Sequence, residues 1–158
     1  MRYTDQLIRM TNSVAEGFMR AVRAMPEDKL NWKVMDASRT IMDIVQEVAQ
    51  CPTYSIPMLQ TRSCPPWNPE AFGKLKEERA QWETLDKCEA VLKENLEKLF
   101  EVIRSYPEAD LSIEIDLPFV EGLRQSMADI MAYPYWNIAY HLGQVSFVQT
   151  LYGDWEMR

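Results

Sequence analysis

The sequence predicts an all-α protein built as a four-helix bundle, and three observations support this fold class. Apolar residues recur every three or four positions over most of the 158 residues. Prolines and helix-capping residues divide this pattern into segments of helical length. The one stretch with a period of two is too short to form a sheet of its own. Four amphipathic helices joined by one long connection pack most simply as a bundle around a single core.

Length and composition limit the classes of protein to consider. A chain of this size fits one domain, so residues 1–158 are expected to share one core. Seventeen basic and twenty-four acidic residues give a net charge of −7, and the basic residues are dispersed. Nucleic-acid binding is therefore not expected. No run approaches the ~20 apolar residues of a membrane span, and no signal-peptide pattern begins the chain. We expect a cytoplasmic protein with no membrane segment.

The first two predicted helices are bounded by prolines and a capping residue. The first helix covers residues 3–25 and ends before Pro26. The second begins with Ser38 as its N-cap and reaches about Thr61, with a kink or break near Pro52. Their repeating apolar residues are Leu7, Met10, Val14, Phe18 and Val22 in the first helix, and Ile41, Ile44, Val45 and Val48 in the second.

The third helical region comes after a proline-rich loop over residues 62–69. Helical spacing runs from 69 to 105, with Pro69 at the first helical position and a break near Thr84, which can cap the second part of this region. Trp67 and Trp82 near the loop either roof a pocket or anchor the loop on the core.

The last third of the chain contains the period-two stretch and the final helix. Residues 110–120 alternate apolar and polar side chains, which predicts an extended segment or a small hairpin. Ser126 is expected to cap a short helix that ends near Tyr133. The last helix is predicted over residues 134–152, with Gly153 at the position after its end.

The only histidine, His141, lies on the inward face of the last helix. Asn137 is four residues before it and Gln144 three after, so the three side chains share one face. Two ligand side chains four apart are how a single helix presents a pair to a metal ion. A lone histidine beside Tyr140 and Gln144 is also typical of a hydrogen-bonded interior residue. Both interpretations stay open at this point.

The segment YWNIAYHLGQVSFVQTLYGD, residues 135–154, resembles the last helix of the DinB-like (DinB/YfiT) superfamily. The resemblance is strongest in Tyr140-His141-x-Gly143-Gln144, and helix order and length agree across nearly the whole chain. It implies an up-down-down-up four-helix bundle with a long crossover before the last helix, commonly a homodimer. Many members of the superfamily bind a divalent metal through three histidines, one on the second helix and an H-x3-H pair on the last. Some relatives transfer low-molecular-weight thiols.

Transferred to this chain, the three-histidine site keeps only His141. Asn137 stands at the first histidine of the pair, and the second-helix ligand falls at Glu47, or a few residues later at Gln50. Carboxylate and imidazole are good ligands for a divalent ion such as Zn, Ni or Mn, whereas a carboxamide is a weak one. A directly hydrogen-bonded pair of Glu47 and His141 without a metal is the alternative.

Cys51, Tyr140 and Gln144 are further candidates for the same pocket. Cys51 is one helical turn after Glu47, where a thiolate would serve as a ligand or nucleophile. Free cysteines are more often small buried apolar residues. The chain has three cysteines with no C-x-x-C spacing, which argues against a disulfide framework and a structural zinc site.

Three functions are compatible with these residues. The first is a DinB-like protein with a degenerate metal site and no complete catalytic site, which binds a small molecule or partner between the second and last helices. The second is a divalent-metal-dependent enzyme of the thiol transferase or hydrolase type, whose metal lowers the pKa of a bound thiol or water. The third is a structural homodimer subunit without pocket chemistry.

Overall fold

A computed structural model describes residues 2–66 and 68–156, so Trp67 lies outside the described residues. The predicted all-α class is confirmed, since helices dominate the described residues and the strands among them form only a two-stranded hairpin. No helix within the described ranges has both the length and the apolarity needed to cross a membrane. The elements are α1 (Tyr3–Arg23), α2 (Glu27–Leu30), α3 (Ile41–Gln50), α4 (Pro52–Thr61), α5 (Pro69–Ala80), α6 (Leu85–Ser105), a 3-10 turn (Glu108–Asp110), β1 (Glu114–Asp116), β2 (Arg124–Ser126) and α7 (Met127–Leu151).

Hydrogen bonds at the two ends of α1 and α7 show that these helices run in the same direction. The hydroxyl of Tyr3 donates to the carbonyl oxygen of Ala128 at 3.1 Å, which joins the two first turns. The side-chain amide of Gln149 donates to the carbonyl oxygen of Ala21, also at 3.1 Å, which joins the two last turns. The first and last helices of the bundle are therefore parallel neighbours.

The other two helices of the bundle run the opposite way. Glu47 in α3 meets His141 in the second half of α7, whereas Ser55 in α4 meets Ile130 near its start, so α3 and α4 oppose α7. α6 runs with α3, because Gln46 donates to the carbonyl of Trp82 before α6 and Ala49 accepts from Asn95 further along it. The up-down-down-up topology is thus confirmed. The predicted long connection before the last helix is present over residues 106–126, and a second one, residues 62–84, contains α5.

The second helix of the bundle begins later than the sequence predicts. The expectation that Ser38 is its N-cap is wrong, because the Ser38 hydroxyl bonds the backbone of Met35 and stabilises the preceding turn. Thr40 is the cap, and its hydroxyl accepts from the backbone N–H of Asp43 at 3.1 Å. The predicted break near Pro52 is confirmed, since α3 ends at Gln50 and α4 begins at Pro52.

The last helix is longer than predicted. The expectation that a short helix ends near Tyr133 is wrong, because α7 continues through Pro134 without interruption. A proline inside a helix leaves the carbonyl four residues earlier without its usual N–H donor. Here that carbonyl belongs to Ile130, and the hydroxyl of Ser55 donates to it at 2.7 Å. A side chain of α4 therefore replaces the lost backbone donor of α7.

The other predicted helix boundaries are confirmed, except that α1 ends at Arg23, two residues before its predicted end. Asn68, Thr84 and Ser126 each accept a hydrogen bond from the backbone N–H three residues later, and Ser126 forms a reciprocal capping box. Gly153 comes after α7 with a φ of +89°, the left-handed region that favours glycine. The period-two stretch contains β1, which pairs antiparallel with β2 just after the stretch to form a small hairpin. Each helix of the bundle contributes fully buried residues to the core, among them Phe18, Val48, Leu59, Leu99, Met127 and Ile138.

Candidate functional site

A buried hydrogen-bonded pair joins the middle of the bundle. His141 on α7 is 3% exposed, and its Nε2 lies 3.2 Å from Oε1 of Glu47 on α3. Its other ring nitrogen, Nδ1, lies 2.7 Å from Oε1 of Gln144, whose amide nitrogen donates to the hydroxyl of Tyr140 at 3.2 Å. The structure thus brings two of the three residues that the resemblance placed at the metal site into direct contact. Gln144 and Tyr140 hold the ring orientation, as outer-shell partners do at metal centres.

The second oxygen of Glu47 is bound by two guanidinium groups. Arg39 Nη2 is 2.8 Å and Arg79 Nη1 is 3.4 Å from Glu47 Oε2. Both arginines also pair with Asp43, at 2.5 Å from Arg39 and 3.4 Å from Arg79. The hydrogen bond from His141, together with the charges of both arginines, outweighs burial and lowers the pKa of Glu47 to about 2. Glu47 is therefore an ionised carboxylate whose two oxygens are both engaged.

Asn137 lies on the same face of α7 as His141, but its side chain is less completely hydrogen-bonded than that of His141. Burial raises the pKa of Tyr133 to about 12, and the neighbouring side chain of Asn137 offsets part of that increase. The side-chain carbonyl oxygen of Asn137, Oδ1, is buried and has no hydrogen-bond partner among the described residues. A buried polar oxygen without a partner costs roughly 1–3 kcal/mol.

Cys51 is fully buried, one helical turn after Glu47. Burial, and secondarily the negative charge of Glu47, raise the pKa of its thiol well above the ordinary value. The reactive and metal-binding form of cysteine is the thiolate, which this environment disfavours. The side chain therefore has the properties of a small buried apolar residue.

The donor atoms permit a direct test of whether a divalent metal fits this site. Glu47 Oε1 and His141 Nε2 are 3.2 Å apart, close to the ~3.3 Å between two ligands of one tetrahedral zinc. The third donor would be the unpartnered oxygen of Asn137, a weak ligand. Arg39 and Arg79 already neutralise the carboxylate and would repel a dication. No group of three His, Cys, Asp or Glu residues in the described part of the chain can hold a metal. The residues present do not fit the imidazole-rich metal site of the superfamily.

A cleft of about 360 Å³ opens beside Glu47, and we refer to it as the polar cleft. The sequence predicted a pocket between the second and last helices of the bundle. In the structure, α5 adds a further wall to this cleft. Sequence reasoning missed the residues of α5, although Phe72, Lys76 and Arg79 have the i, i+4, i+7 spacing of one helix face. The lining consists of Arg39, Asp43, Glu47, Tyr54, Phe72, Lys76, Arg79 and Tyr133.

The remaining pocket candidates lie elsewhere. Tyr140 and Gln144 line a wide outer groove of about 880 Å³, together with Phe147, Val148 and the segment 34–39 before α3. Cys51 lines neither the groove nor the polar cleft. Glu47 faces the polar cleft, and Gln144 lines the outer groove. The side-chain hydrogen bonds Glu47–His141 and His141–Gln144 therefore connect the two spaces through the protein.

The helix directions define an up-down-down-up four-helix bundle, with Glu47 and His141 in contact at its middle. The structure is similar to that of YfiT from Bacillus subtilis, described as a probable metal-dependent hydrolase with an unusual four-helix bundle topology. The TM-score is 0.76 at 16% sequence identity, over 97% of this chain and 90% of that one. The predicted resemblance is thereby confirmed at the level of the fold. The sequence matches no protein-family model and no curated protein.

Proposed function

We propose that this protein is a non-catalytic binding protein of DinB-like fold, which holds a small molecule in the polar cleft without a metal. One observation carries the proposal: Glu47, at the position of a metal ligand, is bound by His141 through one oxygen and by two arginines through the other. The arginines supply the positive charge that a metal would supply. The cleft beside them remains open, with space for a small ligand.

The protonation states of the site support binding rather than catalysis. A general acid or base works best with a pKa near the working pH. Glu47 has a pKa of about 2, so it stays ionised and engaged at neutral pH. Tyr133, with a pKa of about 12, and the buried thiol of Cys51 stay protonated. None of these three groups is poised to exchange a proton or attack a substrate.

The competing function is a zinc-, nickel- or manganese-dependent enzyme of the hydrolase or thiol transferase type. The unpartnered oxygen of Asn137 is the observation that favours it, because a metal would give that oxygen a partner. Dialysis of purified protein against each metal, followed by elemental analysis, separates the two functions. We expect well under one metal per chain, equal in wild type and His141→Ala. Stoichiometric metal that is lost in His141→Ala would overturn the proposal.

Binding itself is tested with a chemically diverse set of small molecules. Ligand-observed NMR is expected to identify binders whose signal is lost in Lys76→Trp, which fills the polar cleft from α5. Lys74→Trp is the matched control, because Lys74 lies on the same helix and pairs with Glu70 away from the cleft. Binders that respond equally to both variants, or no binders at all, would contradict a small-molecule function for this cleft.

A homodimer is a second proposal, and an exposed aromatic stripe on α7 favours it. Trp136, Tyr140 and Phe147 are 63–66% exposed on the outer face of the helix, and Met35 across the groove is 74% exposed. Each such side chain offers on the order of 100 Å² or more of apolar surface, and a stable interface needs about 800 Å² from each partner.

The oligomeric state tests this second proposal. Light scattering during size exclusion is expected to give a dimer for wild type and a monomer for Tyr140→Glu with Phe147→Glu. Ser146→Glu, on an exposed neighbouring position, is the control. A wild-type monomer at roughly 100 µM would exclude the dimer as a stable species.

The three free cysteines support the predicted cytoplasmic location, where thiols stay reduced.

A further inference from the structure

Two clefts adjoin each other at a wall of three aromatic residues. Tyr54 of α4, Phe72 of α5 and Tyr133 of α7 line the polar cleft, and the same three line a second cleft of about 300 Å³. We refer to this second space as the apolar cleft. A molecule that extends past the three rings would therefore meet two linings of different chemistry.

The polar cleft carries a surplus of one positive charge. Its lining has three cations and two carboxylates: Arg39, Lys76 and Arg79 against Asp43 and Glu47. The two arginines are paired with both carboxylates. The side chain of Lys76 forms no ion pair or hydrogen bond with any residue that the structure describes. In a chain with a net charge of −7, this unpaired ammonium group is a local binding point for one anionic group.

The apolar cleft offers almost no polar partner. Besides the shared aromatic rings, the described residues of its wall are Met58, Leu117, Phe119 and Ile130, with Cys64 and Pro65 at one side and Gln125 as the only amide among them. Phe119 is 51% exposed, so its ring presents apolar surface to solvent. Burial of apolar surface is the main favourable term that such a lining can contribute to binding.

We infer that the ligand of this site is a small amphiphilic monoanion. Its anionic group binds at Lys76 in the polar cleft, and its alkyl or aryl tail lies past Tyr54, Phe72 and Tyr133 in the apolar cleft. The inference rests on the proposed function, in which the polar cleft binds a small molecule. A neutral amphiphile leaves Lys76 without a partner, and a small hydrophilic anion leaves the apolar cleft in water. Only a molecule with both features satisfies both linings.

Calorimetric titration with hexanoate, octanoate and decanoate, each below its micelle concentration, tests the inference. Each buried methylene strengthens binding about three- to fourfold, so two carbons should lower the Kd about tenfold. Octanamide has the same tail without the charge, and we expect it to bind at least tenfold more weakly than octanoate. This comparison separates the contribution of the head group from that of the tail.

Two variants assign the two ends of the ligand to the two clefts. Lys76→Met keeps the aliphatic stem and removes the charge, so it should weaken octanoate about tenfold and leave octanamide unchanged. Lys74→Met, the control on the same helix, should change neither. Phe119→Ala should weaken decanoate more than hexanoate, because only the longer tail reaches that ring.

Cys64 provides a readout that does not depend on calorimetry. It lines the apolar cleft and is partly exposed, whereas Cys51 and Cys88 are buried. Saturating octanoate is expected to slow the reaction of Cys64 with a thiol reagent at least fivefold. Lys76→Met should need about ten times more octanoate for the same protection.

The inference fails if affinity does not depend on chain length, or if Lys76→Met behaves like Lys74→Met. Its failure can be told apart from failure of the proposed function. Other small molecules that bind wild type and lose binding in Lys76→Trp, with no binding of the alkanoates, would leave the proposed function standing and overturn the amphiphile. Absence of binding by both sets of molecules would overturn both.

Discussion

Ser55 donates a hydrogen bond of 2.7 Å to the carbonyl oxygen of Ile130 and so completes a helix to which it does not belong. That carbonyl is the one that Pro134 leaves without a backbone donor. Both residues are buried, and Ser55 is 0% exposed. The bond joins α4 to α7 near Tyr54 and Tyr133, two of the three aromatic residues that line both clefts.

Replacement of Ser55 by alanine should destabilise the protein by about 1–3 kcal/mol, because it leaves the Ile130 carbonyl buried without a donor. Chemical denaturation monitored by circular dichroism measures this change. Pro134→Ala restores the backbone N–H of α7, so the double variant should recover part of the loss. Ser146→Ala, at an exposed position of α7, is the control. Equal losses in the single and double variants would show that the hydroxyl acts in some other way.

Acid should destabilise the protein through Glu47. The pKa of Glu47 is about 2 in the folded protein, below its ordinary value of 4.5. The stabilisation is therefore complete above pH 4.5 and is lost as the pH falls toward 2. Glu47→Gln should remove on the order of 2–3 kcal/mol of this pH dependence. Urea denaturation at a series of pH values from roughly 7, where the stabilisation is complete, down to roughly 2.5, where most of it is lost, measures this change.

The control for this titration is Glu101→Gln, on the exposed face of α6. It should retain the wild-type dependence of unfolding free energy on pH. A wild-type dependence in Glu47→Gln as well would assign the acid sensitivity to other carboxylates.

The three cysteines should react with thiol reagents at very different rates. Cys51 and Cys88 are 0% exposed, and burial raises the pKa of both thiols, that of Cys88 to about 11. Cys64 is partly exposed. Mass spectrometry of native protein after brief alkylation should find Cys64 modified first, with the other two modified only on unfolding. Early modification of Cys51 would contradict its burial and reopen its role as a nucleophile.

Restoring imidazoles should create a zinc site. Glu47→His combined with Asn137→His gives three histidines with His141 and removes the carboxylate that binds the two arginines. Imidazole is a far better zinc ligand than a carboxamide. Elemental analysis should find close to one zinc per chain in the double variant and far less in wild type. A double variant that folds but binds no zinc would show that the second-helix position was assigned incorrectly.

Local chemistry made most helix boundaries predictable from the sequence. Asn68, Thr84 and Ser126 cap helices through groups only three residues away. The end expected near Tyr133 was wrong because the residue that makes Pro134 tolerable, Ser55, is distant in sequence. Ser38 was misassigned because two hydroxyls two residues apart compete for one cap, and only the backbone geometry decides between them.

At the site, too, some contacts could be predicted from the sequence and others could not. The pairing of Glu47 and His141 was expected from the resemblance, and the structure places them 3.2 Å apart. The contacts of Arg39 and Arg79 with Glu47 were not foreseen. Arg39 precedes the first turn of α3, and Arg79 is 32 residues from Glu47 along the chain. The position of α5 against α3 decides that contact, and periodicity within one helix carries no information about it.

The charges that balance Glu47 belong to side chains of this protein, not to a dissolved ion. Arg39 and Arg79 cannot diffuse away, and guanidinium stays protonated at any physiological pH. Under the proposed metal-free function, a chelator has nothing to extract from this site, and scarcity of trace elements leaves it intact. The proposal therefore implies that metal starvation, which would inactivate a metalloprotein of this shape, leaves this cleft positively charged and open to a ligand.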